Sequence, residues 1–92
     1  MSKNVEPLTR VHMVPLRRAF EAPKYRRTKV AVRLIREFTT RHMKAKEIKI
    51  EKDVNLALWS RGIGNPPRRI KLEMERDDEG LVSVRLAPEE SS

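Results

Sequence analysis

Three arginines are grouped around a rigid turn in residues 59–70, which read W-S-R-G-I-G-N-P-P-R-R-I. Pro66-Pro67 sets the turn, and Arg68 and Arg69 then enter a predicted strand. Arg61 precedes the turn and belongs to the same corner. Each guanidinium is a planar fork of hydrogen-bond donors, so fixed arginines suit phosphate and carboxylate oxygens. On a chain of net charge +8, this corner indicates nucleic acid as the partner.

The positive charge is concentrated in the first half of the chain. Residues 1–46 carry 13 Lys and Arg against 3 Asp and Glu, whereas residues 47–92 carry 8 against 10. Arginine outnumbers lysine by 13 to 8, which favours forked phosphate binding over diffuse attraction. We interpret a set of basic residues as an RNA-binding surface: Arg17, Arg18, Lys24, Arg26, Arg27, Lys29, Arg33, Arg36, Arg61, Arg68 and Arg69.

Composition excludes several classes of protein. The chain has 92 residues, with 38% hydrophobic and 37% charged, so we expect one small domain without a large apolar pocket for a small-molecule substrate. Cysteine is absent, which excludes disulfides and thiolate metal sites, and no apolar run is long enough to span a bilayer. We expect a cytosolic protein with a flexible arm at residues 1–8, a folded core at 9–86 and an acidic tail at 87–92.

The strongest helical pattern covers residues 29–44, with Thr28 as the predicted N-cap. Helical spacing predicts one apolar stripe, formed by Ala31, Leu34, Ile35, Phe38 and His42. It places a cationic cluster opposite, formed by Arg26, Lys29, Arg33, Arg36 and Lys44. Such a face favours anion binding, and two alternatives are a solvated basic face and a membrane-surface helix.

Alternation predicts strands at residues 9–15, 47–51, 68–76 and 81–86, the last two joined by a turn at 77–80 into a hairpin. Residues 21–28 are predicted to be a basic linker. A second helix at 54–61 is capped by Asp53 and followed by Gly62, and it buries Val54, Ala57, Leu58 and Trp59. The order strand-helix-strand-helix-strand-strand predicts an α+β fold: one sheet with two helices packed against one face.

No catalytic constellation, cofactor motif or metal site is recognisable in the sequence. His12 and His42 lie far apart without adjacent carboxylates, and His42 is predicted to be a half-buried helix residue. Trp59 is interpreted as a core anchor, with stacking on a base as the alternative. The four aromatics are not interleaved with basic strand residues, so we expect contacts to the phosphates and shape of folded RNA rather than base reading.

Short motifs from Thr9 to Val84 together form a specific signature. They are Val14-Pro15-Leu16-Arg17 with Ala19-Phe20, Ala22-Pro23, Arg41-His42-Met43-Lys44, Ile48-Lys49-Ile50, Asn55-Leu56, Trp59-Ser60-Arg61-Gly62-Ile63 and Pro66-Pro67-Arg68-Arg69-Ile70. In this order and at these separations, the chain resembles the archaeal and eukaryotic family of large-subunit ribosomal proteins numbered thirty-one in the eukaryote-type series. Its short termini are more similar to archaeal members.

The resemblance implies a structural constituent of the large ribosomal subunit, and no enzyme. It implies large-subunit rRNA and neighbouring large-subunit ribosomal proteins as partners, near the exit of the nascent-peptide tunnel. Factors that receive the emerging chain are a further implied partner. The alternative function is a free basic regulator that binds duplex DNA or assorted RNA outside the ribosome.

Overall fold

The computed structural model describes residues 8–62 and 64–87, and it confirms the predicted α+β order. The elements are β1 (Leu8–Pro15), a first 3-10 turn (Arg17–Glu21), a second 3-10 turn (Lys24–Arg26), α1 (Arg27–Met43), β2 (Glu47–Ile50), α2 (Lys52–Trp59), β3 (Arg69–Arg76) and β4 (Leu81–Leu86). The strands form one sheet in the order β1-β3-β4-β2, and the two helices share its buried core.

The hairpin of β3 and β4 forms the centre of the sheet. Its alternation is as predicted: Ile70, Leu72 and Met74 on β3 are buried against the helices, as are Val82 and Val84 on β4. β1 pairs antiparallel with β3 on one side, and β2 pairs parallel with β4 on the other. The first strand is therefore joined to the hairpin formed by the last two strands.

Register decides which side of β1 is buried. Val14 lies opposite Ile70 and His12 opposite Leu72, so both share the helix-covered face. Residues directly opposite each other in an antiparallel pair point to the same face. Val11 and Met13 consequently lie on the open face of the sheet, where both are exposed.

The apolar stripe of α1 is rotated relative to the prediction. Its fully buried line is Thr28, Ala31, Ile35, Thr39 and Met43, whereas Leu34 and Phe38 are only half-buried. His42, predicted to be half-buried, is exposed. Thr39 fits the core because its hydroxyl donates to the Ile35 carbonyl at 2.8 Å, which satisfies the buried polar group.

The predicted N-cap at Thr28 is wrong because α1 begins at Arg27, directly after the second 3-10 turn. Thr28 is already helical and buried, and its hydroxyl has no hydrogen-bond partner among the described residues. The predicted irregular linker at 21–28 is therefore mostly helical turns. At the other end, Arg76 donates from Nη1 to the Met43 carbonyl at 2.8 Å and satisfies a terminal acceptor of α1.

α2 begins and ends two residues earlier than predicted, at Lys52 and Trp59. Asp53 is not the N-cap but lies in the first turn, where its carboxylate accepts from the Val54 amide at 2.7 Å and from the Leu86 amide at 3.2 Å. It thereby joins the helix to the end of β4. The interpretation of Trp59 as a core anchor is wrong, because this side chain is 39% exposed.

A histidine pair packs between β1 and α1. The rings of Phe38 and His42 stack with centroids 4.0 Å apart, and His12 approaches Phe38 at 5.4 Å and His42 at 5.5 Å. Nε2 of His12 is buried without a hydrogen-bond partner among the described residues. Desolvation first, and then the charges of His42 and Arg10, lower the pKa of His12.

Of the predicted arm and tail, Leu8 belongs to β1 and Ala87 donates to the Lys71 carbonyl at 3.2 Å. Residues 1–7 and 88–92 lie outside the described residues, and the single-domain division stays a prediction. In the part of the chain that the structure describes, no helix combines the length and apolar character needed to cross a membrane.

We expect Leu58→Ala to lower the free energy of unfolding by about 2–5 kcal/mol, because it removes a fully buried side chain. Trp59→Ala should lower it by less than about 2 kcal/mol, because much of the indole is already in water. Urea unfolding of both variants measures the difference. A loss from Trp59→Ala equal to that from Leu58→Ala would contradict this account of α2.

We also expect the fold to lose stability as the pH falls through 6.5, the ordinary pKa of histidine. The folded pKa of His12 lies below its unfolded value, so the unfolded chain binds the proton more readily. This contribution is complete above the unfolded pKa and is lost as the pH falls toward the folded pKa. Urea unfolding between pH 5 and pH 8 should show a shallower pH dependence in His12→Gln than in the natural sequence; equal slopes would contradict the expectation.

Candidate nucleic-acid interface

The pairing of β1 with β3 brings the first 3-10 turn to the arginine corner. Pro15 lies opposite Arg69, and the amide of Leu16 donates to the Arg68 carbonyl at 2.7 Å. The chain then turns through Arg17–Glu21, so Phe20 comes to lie beside the start of β3. Two segments that are distant in sequence therefore form one surface.

The Phe20 ring contacts two arginine side chains, those of Arg27 and Arg68. The guanidinium carbon of Arg68 lies 4.9 Å from the ring centroid, and that of Arg27 lies 5.2 Å from it. A guanidinium at this distance is attracted by the negative face of the ring, by about 0.5–1 kcal/mol at an exposed site. The ring thus restricts where these arginines point without neutralising their charge.

Arg27 also holds the loop that follows α2. Its Nε donates to the Ala22 carbonyl at 3.1 Å, and its Nη1 donates to the Gly64 carbonyl at 3.3 Å. Gly64 has φ +84°, and an added Cβ there would lie 2.7 Å from the carbonyl oxygen of Lys24. Only glycine permits this close approach, so the loop is fixed against the second 3-10 turn.

The predicted corner exists as an open groove, which we call the arginine groove. It is lined by Phe20, Arg61, Asn65, Pro66, Pro67, Arg68 and Arg69. Gly62 follows α2 as predicted, with a positive φ of 92°, and its amide donates to the Trp59 carbonyl at 3.0 Å. Within residues 8–62 and 64–87, the side chains of Arg61, Arg68 and Arg69 make no hydrogen bond or ion pair, and all three are exposed.

Charges on the open face of the sheet are arranged differently. Arg85 binds Glu73 at 2.7 Å and Glu75 at 3.1 Å. The hydrogen bonds to these two carboxylates raise the pKa of Arg85. Arg85 on that face therefore has its own acceptors, whereas Arg61, Arg68 and Arg69 at the groove have none among the described residues. The groove is the better place for an external anion.

The remaining predicted residues do not line the groove. Arg18 and Arg33 line a separate depression together with Glu21 and Glu37, and Arg33 pairs with Glu37 at 3.9 Å. Such an exposed pair contributes little to stability. The others are exposed on the two 3-10 turns or on α1: Arg17, Lys24, Arg26, Lys29 and Arg36. Their contacts with RNA stay a prediction.

Two aromatic residues at this surface were missed in the sequence. In the sequence, Phe20 stands out only as part of the Ala19-Phe20 motif, and its place beneath Arg27 and Arg68 follows from strand pairing that no local pattern reveals. Tyr25 had a local signal, since it stands inside the run Lys24-Tyr25-Arg26-Arg27. An aromatic within a basic run is a combination typical of nucleic-acid binding.

Metal chemistry has no support in the described ranges, 8–62 and 64–87. There, no three side chains of His, Asp or Glu are grouped so that they could hold an ion. The two histidines that the fold brings together pack against Phe38 and not against a carboxylate.

We expect Arg27→Lys to destabilise the fold by about 1–2 kcal/mol, although it keeps the charge, because lysine cannot reach both carbonyls with one planar fork. Arg26→Lys is the matched control: this neighbour is exposed, and its side chain has no partner in the described structure, so stability should change by less than about 0.5 kcal/mol. Thermal unfolding measures both. Equal melting temperatures would show that Arg27 does not hold the loop.

Comparison with known proteins identifies the relatives of the chain. The sequence model of the family described as Ribosomal protein L31e matches residues 6–80. The protein named large ribosomal subunit protein eL31 from Methanopyrus kandleri is 47% identical over 78 residues, covering 85% of this chain and 91% of that protein. The eL31 protein of Methanothermobacter thermautotrophicus is 39% identical over 79 residues, covering 86% of this chain and 98% of the relative.

A third relative comes from a different archaeal genus. The eL31 protein of Pyrobaculum calidifontis is 44% identical over 81 residues, covering 86% of this chain and 89% of that protein. The matched region contains both the turn that carries Phe20 and the loop that carries Arg61, Arg68 and Arg69. The chain therefore belongs to the L31e family of ribosomal proteins, which are structural components and not enzymes.

Proposed function

We propose that this protein is a structural constituent of the cytoplasmic large ribosomal subunit and binds folded rRNA through arginine-phosphate contacts. The observation that carries the proposal is the arginine groove, where Arg61, Arg68 and Arg69 are exposed and lack carboxylate partners among the described residues. The relatives are named as large-subunit proteins, which supports the same assembly for this chain.

The kind of RNA contact follows from the donors that are present. The basic helix α1 contains no Asn or Gln, the usual readers of adenine, and its cations suit phosphate oxygens better than base edges. Arginines carried at fixed backbone positions favour a matching spacing of phosphates on a folded RNA. The protein thus recognises the shape of its target through the RNA phosphate backbone. The nucleotide sequence matters only because it determines how the RNA folds.

We place the protein near the exit of the nascent-peptide tunnel, on the strength of the family resemblance. Neighbouring large-subunit ribosomal proteins and factors that receive the emerging chain are the partners that this position implies. The open sheet face, with its mutually paired Glu73, Glu75 and Arg85, suits a protein neighbour better than RNA.

The proposed assembly is tested by a sucrose gradient of native cell extract, probed for this protein at low and then at high monovalent salt. Co-migration with large subunits that persists in moderate salt is the expected result. A signal confined to the free fractions would overturn the proposal and favour a free basic regulator of nucleic acids. The two outcomes differ in the size of the sedimenting particle, so they are readily distinguished.

We expect Arg68→Ala combined with Arg69→Ala to weaken binding to transcribed large-subunit rRNA and to leave the fold intact, because both side chains are exposed. With about eight phosphates neutralised, the natural protein should show a log-log salt slope near −7 on duplex-like RNA, and the double variant a slope shallower by about 2. Filter binding across a salt series measures both slopes.

The matched control is Lys49→Ala combined with Lys71→Ala, which removes the same charge from two exposed positions in β2 and β3. This control should bind nearly as well as the natural protein. A control as weak as the arginine variant would mean that net charge, rather than the groove, governs binding. Loss of thermal stability in the arginine variant would instead assign Arg68 and Arg69 a structural role.

A further inference from the structure

Tyr25 is the most exposed large hydrophobic or aromatic side chain in the described part of the chain, with 71% of its surface in water. It lies in the second 3-10 turn, between the exposed cations Lys24 and Arg26. A ring held so far out buries little surface within the protein and so adds little to folding. Tyr25 does not line the arginine groove, but the turn that carries it packs against Gly64 in the adjoining loop, and its exposure there needs a different physical reason.

The backbone beneath Tyr25 is fixed to the groove. The amide of Arg26 donates to the Pro23 carbonyl at 2.9 Å, which closes the turn. On one side of Tyr25, the Lys24 carbonyl faces Gly64 so closely that no Cβ fits there. On the other side, Arg27 donates to the Gly64 carbonyl and rests over Phe20. The turn that carries the ring and the loop between Arg61 and Arg68 are therefore joined into one frame.

An exposed aromatic ring among cations suits a nucleotide rather than a protein segment. Every base has a flat π-face that stacks on an aromatic ring, while its own backbone phosphate seeks the adjacent guanidinium or ammonium groups. An apolar protein surface laid over Tyr25 would have to desolvate Lys24, Arg26 and Arg27 without supplying acceptors for them. The surrounding positive charge thus favours a nucleic acid, which is a polyanion whose bases have flat π-faces.

We propose that Tyr25 is a stacking platform for one unpaired nucleobase of the RNA that the arginine groove holds by its phosphates. The inference rests on the proposed function and makes it more specific. Bases inside an A-form helix are covered by their neighbours, so only a bulged, looped or terminal base can reach the ring. The RNA site that contacts Tyr25 is therefore one where the RNA double helix is interrupted by a bulge, a loop or an end.

The test is binding of the purified full-length protein to transcribed large-subunit rRNA at several salt concentrations. Tyr25→Ala should weaken binding roughly 5- to 150-fold, the range for loss of one stacked base. Its salt slope should stay unchanged, because no phosphate contact is removed. Tyr25→Phe, which keeps the ring, should bind like the natural protein. Leu56→Ala is the control for an exposed apolar side chain outside the groove, at 63% exposure, and should have no effect.

A spectroscopic variant reports stacking directly. In a Trp59→Phe background, Tyr25→Trp places the sole indole on the platform, and its fluorescence should be quenched when rRNA is added. The same quenching should fail with an RNA of uninterrupted duplex, even where that duplex binds at low salt. Circular dichroism of each variant confirms that the fold is retained.

The outcomes separate the two proposals. Tight, salt-dependent binding by the natural protein and by Tyr25→Ala alike would refute the platform and leave the phosphate groove standing. A Tyr25→Phe variant as weak as Tyr25→Ala would also refute stacking, because it would assign the effect to the hydroxyl. Failure of the natural protein to bind rRNA at any salt concentration would overturn the proposed function and the platform with it.

Discussion

The antiparallel pairing of β1 with β3 is the constraint on which the rest of the structure depends. It places Val14 opposite Ile70 in the core and Pro15 opposite Arg69 at the edge of the arginine groove. A slip of one residue would turn Val14 toward water and move the Phe20 turn away from Arg68. One register therefore determines both the packing of the helices and the alignment of the cations.

Several cations lie close together at and beside the groove because strand pairing and the loop contacts of Arg27 bring their backbones together. Arg27 is held by the carbonyls of Ala22 and Gly64, and Phe20 gives Arg27 and Arg68 a favourable surface without adding negative charge. On the open sheet face the fold does the opposite, since Arg85 is paired with two carboxylates. At the groove, by contrast, Arg61, Arg68 and Arg69 have no acceptor among the described residues, so the protein itself does not compensate the repulsion between them.

The local sequence pattern was sufficient to predict the elements that pack against residues close to them in sequence. The β3–β4 hairpin followed from strict alternation around a short turn, and the corner followed from Gly62 and the paired prolines. The sequence pattern was insufficient where burial depends on packing against residues that are distant in the chain. The α1 stripe contains Thr28 and Thr39, which a count of apolar residues treats as polar, although Thr39 satisfies its hydroxyl within its own helix. Trp59 follows the last buried position of an eight-residue helix, so no space in the core remained for it.

The distance along the chain between β1 and β3 also governs how the protein is made. Synthesis must proceed through Arg76 before β1 has its complete partner strand, so the first strand and α1 emerge long before the sheet can close. During that interval the newborn polypeptide carries the 13 cations of residues 1–46 together with an uncovered apolar helix face. Such a segment binds polyanions indiscriminately and aggregates readily. Synthesis of the hairpin therefore completes the sheet that covers the apolar helix face and gives the cations their final positions.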